Sequence, residues 1–455
     1  MIVSFSVSNF RSFSSEETFS LVASNRFPDK EGHLLPIPDS KEQVLRTSVL
    51  YGANGAGKSN LFKAIAYLKS VALESRKKNK GTGREPFRFG DLSEKPSSFD
   101  LQFITAEKLY RFGFKVDDER ILEEWLVQVI GGRERTLYER TTDLNGKVRI
   151  DAKGFNAGEK IEALATVGGP QNQSFLATIQ VTIDSSDYNE ELREILNWFS
   201  QGLNLIGPNQ SFARLGHRLS VNQDFLAFAS EFLKSSSTGV DHLQVQKEEV
   251  TEDELHNLLP ESIVSKVLTG IREDENDAAL IQFGEGHELL IERSDETHYY
   301  RISIQAAHQP QAGKEVLLDL NKESDGTRRL LNLIPALHHL RKSSAIYFID
   351  EIDRSLHPKL VWNFLDFFLK SCEGGNRQII VTTHESNLLD LELLRRDEIW
   401  FAEKDSLSAT RLYSLTDFKV RNDLEIRKHY LQGRFGAVPF LGDLDRLLEA
   451  KGHPV

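Results

Sequence analysis

The sequence has a single cysteine, Cys372, among 455 residues. One thiol cannot form a disulfide within the chain, and it cannot supply a cysteine-based zinc or iron–sulfur site. Proline is also scarce, with 13 residues, which excludes a proline-rich disordered or fibrous protein. These shortages predict a folded protein in a reducing compartment.

Long apolar runs are lacking as well. No stretch approaches the roughly 18 apolar residues that a membrane-spanning helix needs. The first residues, MIVSFSVSNFRSF, alternate apolar and polar side chains as a strand does, and they lack the apolar centre of a signal peptide. We therefore expect a cytoplasmic protein without membrane contact.

The chain also lacks an excess of positive charge, because 56 Lys and Arg face 68 Asp and Glu, for a net charge of -12. Unselective coating of duplex nucleic acid depends on phosphate neutralisation and is disfavoured. The densest basic run, residues 76–84, is interrupted by two glycines. It is typical of a mobile solvated loop, although a local DNA contact is left open.

A glycine-rich motif follows a short apolar run early in the chain. Residues 52–59, GANGAGKS, fit G-x-x-x-x-G-K-[ST], and apolar residues at helical spacing follow from 61 to 71. In a strand–loop–helix setting, backbone N–H groups and the helix N-terminus bind phosphate. Lys58 would reach the β- and γ-phosphates, and Ser59 would bind Mg²⁺. The predicted nucleotide-binding residues of this segment are Asn54, Gly55, Gly57, Lys58, Ser59 and Asn60.

Two acids follow a second apolar run, Ile346 to Ile349. A buried strand that ends in Asp350 and Glu351 is typical of a Walker B element. Asp350 would hold Mg²⁺, and Glu351 would polarise the attacking water as a general base. A further strand pattern, residues 378–383, ends at His384, which we expect to sense the γ-phosphate.

Between these motifs lies a second predicted anion-binding helix start. Residues 323–329, ESDGTRR, precede apolar residues at helical spacing, with Pro335 inside the helix. Ser324 would cap the helix, and Gly326 would allow close approach of a phosphate. On local sequence alone, an ordinary capped helix explains the pattern better.

The order of these motifs resembles that of ABC-type ATPases of the SMC and RecF group. With Asn9–Phe13, Pro86-Phe87, Leu356-His357-Pro358 and residues 396–401 added, the whole chain resembles compact prokaryotic AAA-15-type ATP-binding proteins, which are relatives of the ATPase half of OLD nucleases. The resemblance implies an α/β fold: a P-loop ABC-type ATPase head with a mixed β-sheet lobe and a helical insertion. It also implies a head-to-tail homodimer, or a higher homo-oligomer, in which Ser324 and Gly326 close over ATP held by the other subunit.

Three domains are expected: an N-terminal ATPase lobe over 1–184, a helical insertion over 185–275 and a C-terminal ATPase lobe over 276–455. Four short strands between 99 and 140 would form an antiparallel sheet beside the P-loop core. Helical patterns cover 190–199 and 224–234, without the sustained heptads of a coiled coil.

Two departures from ABC transporters stand out. The signature has Ser-Asp-Gly instead of Ser-Gly-Gly, and only Gln102 is a candidate for the Q-loop glutamine. Because Asp325 would bring negative charge near the γ-phosphate, we expect slow, switch-like hydrolysis, below about 10 s⁻¹.

The carboxylates after His384 include Asp443 and Asp445, but this tail is too short and too helical for a nuclease domain. The resemblance therefore implies an ATP-dependent sensor and scaffold in prokaryotic antiviral defence, with a separate nuclease or toxin as effector. Two alternatives stay open: a RecF-like DNA-repair clamp, and a structural protein that binds ATP without hydrolysing it.

Overall fold

The computed structural model describes residues 1–77, 80–155, 158–212, 214–261, 264, 278–284, 287–293, 297–309, 313–372, 374–419 and 425–438. The chain forms two compact units. The first comprises Met1–Pro208, Ser343–Asp353 and Trp362–Val455, and the second comprises Asn209–Lys342 and Arg354–Val361.

The strands of the described residues are β1 (Ile2–Ser8), β2 (Glu17–Ser20), β3 (Leu34–Pro36), β4 (Gln43–Leu45), β5 (Thr47–Tyr51), β6 (Ser97–Thr105), β7 (Lys108–Val116), β8 (Ile121–Ile130), β9 (Arg133–Thr142), β10 (Val148–Asp151), β11 (Leu203–Ile206), β12 (His242–Val250), β13 (Ala278–Gly284), β14 (His287–Arg293), β15 (Thr297–His308), β16 (Val316–Asp319), β17 (Ile346–Ile349), β18 (Gln378–Thr383), β19 (Ile399–Lys404) and β20 (Thr410–Ser414).

The α-helices are α1 (Lys58–Leu73), α2 (Glu159–Val167), α3 (Phe175–Thr182), α4 (Glu190–Asn197), α5 (Leu215–Val221), α6 (Gln223–Ser235), α7 (Glu252–Leu258), α8 (Asp325–Lys342), α9 (Pro358–Ser371) and α10 (Ile426–Leu431). Within the described residues, no helix combines the length and apolar character that crossing a membrane requires.

A six-stranded sheet of the first unit positions the predicted site. Its order is β11-β17-β18-β5-β19-β20, with every neighbouring pair parallel except β19 and β20. The strands β5, β17 and β18 are buried along their whole length, as expected for central parallel strands. Since parallel strands end at the same edge, the glycine loop, the acidic pair and His384 all emerge at one edge of this sheet.

The same unit contains a seven-stranded antiparallel sheet in the order β10-β9-β8-β7-β6-β1-β2. Helix α1 contributes to the core with Leu61, Ile65 and Leu68, which recur at helical spacing and are fully buried. The Tyr67 ring of this helix lies 5.2 Å from the Phe99 ring of β6. Each large apolar side chain buried here contributes about 1.5–3 kcal/mol to the stability of the fold. Helix α1 is therefore held in place by its packing, directly after the glycine loop.

The second unit is built on an antiparallel sheet in which β12, β15, β14 and β13 follow one another and β16 pairs with β15. Buried Glu288 accepts hydrogen bonds from the backbone N–H groups of Gly216 and His217, and so caps α5. Helix α8 runs without interruption through Pro335. Its buried His338 contacts Asp224 at 3.1 Å and thereby joins α8 to α6.

Most of the predicted elements are present. The four strands expected between 99 and 140 are β6 to β9, and the two helical patterns are α4 and α6. The described part of the span 185–275, expected to be helical, also contains the strands β11 and β12. Strand β11 belongs to the parallel sheet because it pairs with β17. The first compact unit runs to Pro208, and the predicted border at 184 stays a prediction. The expected border at 275 lies outside the described residues.

Candidate functional site

The glycine loop joins β5 to α1, as the sequence predicts. Helix α1 begins at Lys58, and its N-cap is Gly57, whose φ of 108° lies in the left-handed region. A Cβ at this position would overlap the hydroxyl of Thr410. Only glycine combines this backbone geometry with such a close neighbour. Asn54 and Gly55 are exposed at the loop apex, and Ser59 is partly exposed in the first helical turn.

Two hydroxyl residues without a predicted role hold the base of this loop. Thr410 Oγ1 donates to the Ala56 carbonyl at 2.8 Å and lies 2.8 Å from Ser12 Oγ. Asn60 Nδ2 donates to the same Ser12 hydroxyl at 2.7 Å. The predicted nucleotide residue Asn60 therefore anchors the helix start, and the loop is fixed by two distant segments of the chain.

Lys58 is buried, and its ammonium donates to the carbonyls of Gly52 and Ala53 at 2.7 and 3.2 Å. Burial lowers its pKa below the usual range of lysine. The negative charges of three carboxylates act in the opposite direction; in decreasing order of effect they belong to Asp353, Asp350 and Glu351. The lysine and the acidic segment therefore interact electrostatically in the first unit.

The two acids after β17 are held by one residue of the neighbouring strand. Thr382 Oγ1 donates to Asp350 Oδ1 at 2.6 Å and accepts the backbone N–H of Glu351 at 2.8 Å. Asp350 is 2% exposed, whereas Glu351 is half-buried. Glu351 has a φ of 48°, a left-handed conformation that is strained for a non-glycine residue. The hydrogen bond to Thr382 stabilises this strained backbone.

His384 directly follows β18, at the predicted strand end. Its Nε2 lies 3.1 Å from Asp353 Oδ2. The histidine ring is half-exposed, whereas Asp353 is buried. Asp353 was not predicted, although its place two residues after Glu351 in the Asp-Glu-Ile-Asp sequence was the available signal.

Ser324 and Gly326 lie in the second unit, at the start of α8. The Ser324 hydroxyl accepts the backbone N–H of Thr327 at 3.1 Å, which is an N-cap contact. A Cβ on Gly326 would lie 2.8 Å from the Ser355 carbonyl oxygen, so a larger residue would force the backbone apart. Asp325 pairs with Arg328 one turn later. The helix start has the predicted form, and its part in nucleotide binding stays a prediction.

Two other sequence features can now be placed. Gln102 lies within β6 of the antiparallel sheet, and its Q-loop role stays untested. In the basic run, Arg84 is buried and forms an ion pair with Asp118 at 2.6 Å. The Asn172 side-chain amide donates a hydrogen bond to the carbonyl of Lys77. This run is therefore partly fixed to the fold, unlike the mobile loop expected. The acids at 443 and 445 lie outside the described residues.

The residues at the sheet edge suit a nucleotide that arrives with Mg²⁺. In the parts of the chain that the structure describes, no group of three or more His, Cys, Asp or Glu could hold a metal by itself. Mg²⁺ commonly takes one or two protein ligands together with substrate phosphates. The Ser59 hydroxyl and the Asp350 carboxylate would complete such a set, and the cradle that admits no Cβ at Gly57 suits close approach of a phosphate.

Comparison with curated proteins finds no match. Among solved structures, an SMC head bound to the C-winged helix domain of ScpA is 15% identical, with 91% of this chain and 97% of that chain covered and a TM-score of 0.41. The SMC head domain from Thermotoga maritima is 13% identical, with 91% and 98% covered and a TM-score of 0.37. An SMC head domain with an extended coiled coil, bound to the C-terminal domain of ScpA derived from Pyrococcus furiosus, is 13% identical, with 91% and 96% covered and a TM-score of 0.35.

A family model described as "AAA domain, putative AbiEii toxin, Type IV TA system" matches residues 48–390. The match spans both the glycine loop and the strand that ends at His384. Together with the parallel sheet, it confirms the predicted α/β P-loop ATPase fold. Since more than half of the sequence is matched, the chain belongs to this family of AAA-domain proteins.

Proposed function

We propose that the chain binds ATP with Mg²⁺ and hydrolyses it slowly. The observation that carries this proposal is the single sheet edge from which the glycine loop, the acidic pair and His384 emerge. Lys58 would bind the β- and γ-phosphates, while Ser59 and Asp350 would hold the metal.

Glu351 would act as the general base. It is half-buried and follows a fully buried strand, so its carboxylate lies at the boundary between the core and the open edge. A protein that only stores ATP has no chemical need for a base one residue after the metal ligand. This is why we favour an ATPase over a structural nucleotide-binding protein.

We further propose a homodimer with composite sites, in which Ser324 and Gly326 of one copy contact ATP held by the other. Support comes from the exposed Ser324 at the N-terminus of an 18-residue helix, where N–H groups and the helix dipole favour an anion. Asp325 adds a negative charge at this helix start, and its pairing with Arg328 offsets that charge only in part. We therefore expect turnover below about 10 s⁻¹.

The deciding experiment compares wild type with Glu351→Gln, with Glu119→Gln as the control at an exposed loop carboxylate. Particle mass and ATP turnover are measured with and without ATP and Mg²⁺. We expect Glu351→Gln to lose turnover and to accumulate as a nucleotide-bound dimer, while Glu119→Gln behaves as wild type. If ATP changes the particle mass of neither wild type nor Glu351→Gln, and neither protein hydrolyses it, the assignment of this site is wrong.

The biological proposal is a cytoplasmic sensor and scaffold of antiviral defence that controls a separate nuclease or toxin. The wording of the family description, which names a putative toxin and a toxin–antitoxin system, supports this context. ATP-driven closure would change which surfaces are available to the partner. The test is to recover the chain from its native host and identify what co-purifies. The proposal fails if no effector is bound and the chain alone confers the whole phenotype.

DNA binding by the purified protein separates this proposal from the RecF-like alternative. A DNA-repair clamp would bind duplex DNA only with ATP, and binding would weaken steeply as salt rises. We expect no such ATP-dependent binding by Glu351→Gln. If it occurs, the clamp is the better description.

A further inference from the structure

One contact at the sheet edge is not accounted for by phosphate binding, metal binding or the general base. His384 Nε2 lies 3.1 Å from Asp353 Oδ2. Asp353 follows β17, and His384 follows the neighbouring parallel strand β18. The contact therefore joins two adjacent strand ends beside the proposed reaction centre.

The two side chains differ sharply in exposure. The Asp353 side chain is 6% exposed, whereas that of His384 is 54% exposed. A half-exposed imidazole can rotate freely unless one of its nitrogens is held. The ring nitrogen that faces the acid is Nε2, at an ion-pair distance, and a negative carboxylate at this distance favours a proton on that nitrogen. The buried acid is thus placed to favour one direction of the ring and one tautomer.

A purely structural role does not explain the aspartate well. Its other oxygen, Oδ1, is buried and has no hydrogen-bond partner among the residues that the structure describes. An unpaired buried acceptor costs about 1–3 kcal/mol. Asp353 is also the carboxylate that most strongly raises the pKa of Lys58 against the effect of burial. The buried Asp353 therefore acts on both Lys58 and His384, the two side chains that would contact the γ-phosphate in the proposed function.

We propose that Asp353 is a positioning residue: it holds His384 through Nε2 and sets the direction and tautomer of the ring that meets the γ-phosphate. The part that concerns the γ-phosphate rests on the proposed ATPase function. The contact itself and the tautomer are properties of the nucleotide-free protein, so they are tested separately.

The first test uses the full chain without nucleotide. Histidine labelled with ¹⁵N in the ring reports which nitrogen carries the proton, and the His384 signal is assigned by its loss in His384→Gln. We expect the proton on Nε2 in wild type. In Asp353→Asn the negative charge is gone and the amide can either donate to the ring or accept from it, so we expect a larger fraction of the Nδ1–H tautomer than in wild type. An unchanged tautomer in Asp353→Asn overturns the inference.

The second test is kinetic. Loss of a carboxylate that orients a histidine costs about 10- to 100-fold in metal sites, and we expect a similar fall in kcat for Asp353→Asn. The KM for ATP should change little at a pH low enough to keep Lys58 protonated in the variant. The control is Asp366→Asn, which removes a carboxylate that pairs with Lys370 on α9, and we expect it to keep the wild-type kcat.

Because the two residues act as a unit, the double variant Asp353→Asn/His384→Gln should be no slower than His384→Gln alone. Wild-type turnover in Asp353→Asn, or losses that add fully in the double variant, would refute the positioning role. If wild type neither binds nor hydrolyses ATP, the proposed function fails, and the tautomer comparison still decides this inference.

Discussion

Thr382 Oγ1 donates a 2.6 Å hydrogen bond to Asp350 Oδ1, and this bond links the ends of two parallel strands at the proposed metal site. The same hydroxyl accepts the N–H of Glu351. One side chain therefore holds the proposed metal ligand and the proposed base together. An aspartate fixed in this way binds a metal without first having to be ordered.

The isosteric change Thr382→Val should therefore raise the Mg²⁺ concentration needed for turnover and lower kcat. It leaves Glu351 N–H and Asp350 without their shared partner, at a cost of about 1–3 kcal/mol in stability. Thr47→Val is the matched control, because buried Thr47 donates to the Ile379 carbonyl elsewhere in the same sheet. We expect the control to lose stability only. The prediction is wrong if both variants need the same Mg²⁺ concentration.

Thr410→Val tests the support beneath the glycine loop. The change removes the hydroxyl that contacts the Ala56 carbonyl and Ser12. A loss of about 1–2 kcal/mol corresponds to an ATP affinity about 5- to 30-fold weaker, measurable by calorimetry. Thr416→Val, which removes a hydroxyl that donates to Ser414, should bind ATP as wild type does. Equal affinity of Thr410→Val and wild type would count against this support.

The lowered pKa of Lys58 should make ATP binding depend on pH. Burial favours the neutral amine in the free protein, whereas a bound triphosphate favours the ammonium. ATP binding should thus take up a proton once the pH exceeds the lowered pKa of free Lys58. Affinity is then full below that pKa and falls as the pH rises through it.

The proton uptake is measured by calorimetry at alkaline pH, in two buffers with different ionisation enthalpies. Lys58→Arg is the control, because a guanidinium stays protonated throughout this range. Equal binding heats for wild type in the two buffers, throughout the alkaline range, would contradict the prediction.

Ser324→Ala tests the composite site. The change removes an N-cap, which costs about 1 kcal/mol, but it should leave ATP binding by the single chain intact. In the Glu351→Gln background we expect it to abolish the ATP-induced dimer seen by light scattering. Asn222→Ala removes the N-cap of α6 in the same unit and should leave the dimer in place. A dimer that survives Ser324→Ala would exclude a contact between Ser324 and ATP.

The sequence predicts the glycine loop well because its structure is local. Gly57 needs a left-handed backbone, Lys58 begins a helix, and an apolar strand precedes both, so every signal lies within a few residues. The same holds for the acidic pair and His384, each at the end of a fully buried strand. Because the strands are parallel, their ends lie at one edge of the sheet, and no long-range contact has to be known to predict this.

Other features depend on partners far away in sequence. Strand β12 (His242–Val250) is rich in charged residues and becomes a strand through its pairing with β15. Strand β11 has four residues and is defined by its pairing with β17. The roles of Ser12 and Thr410 follow only from their mutual contact across the chain. Hydrophobic periodicity contains no signal for any of these pairings.

The hydrogen bond between Thr410 and Ser12 spans 398 positions of sequence. During translation, at about 5–20 residues per second, the glycine loop would wait about 20–80 s after the emergence of Ser12 before its last support is synthesised. Until Thr410 has left the ribosome, a nascent chain lacks this support for the loop. Binding of the proposed nucleotide would in this way be delayed until Thr410 has emerged.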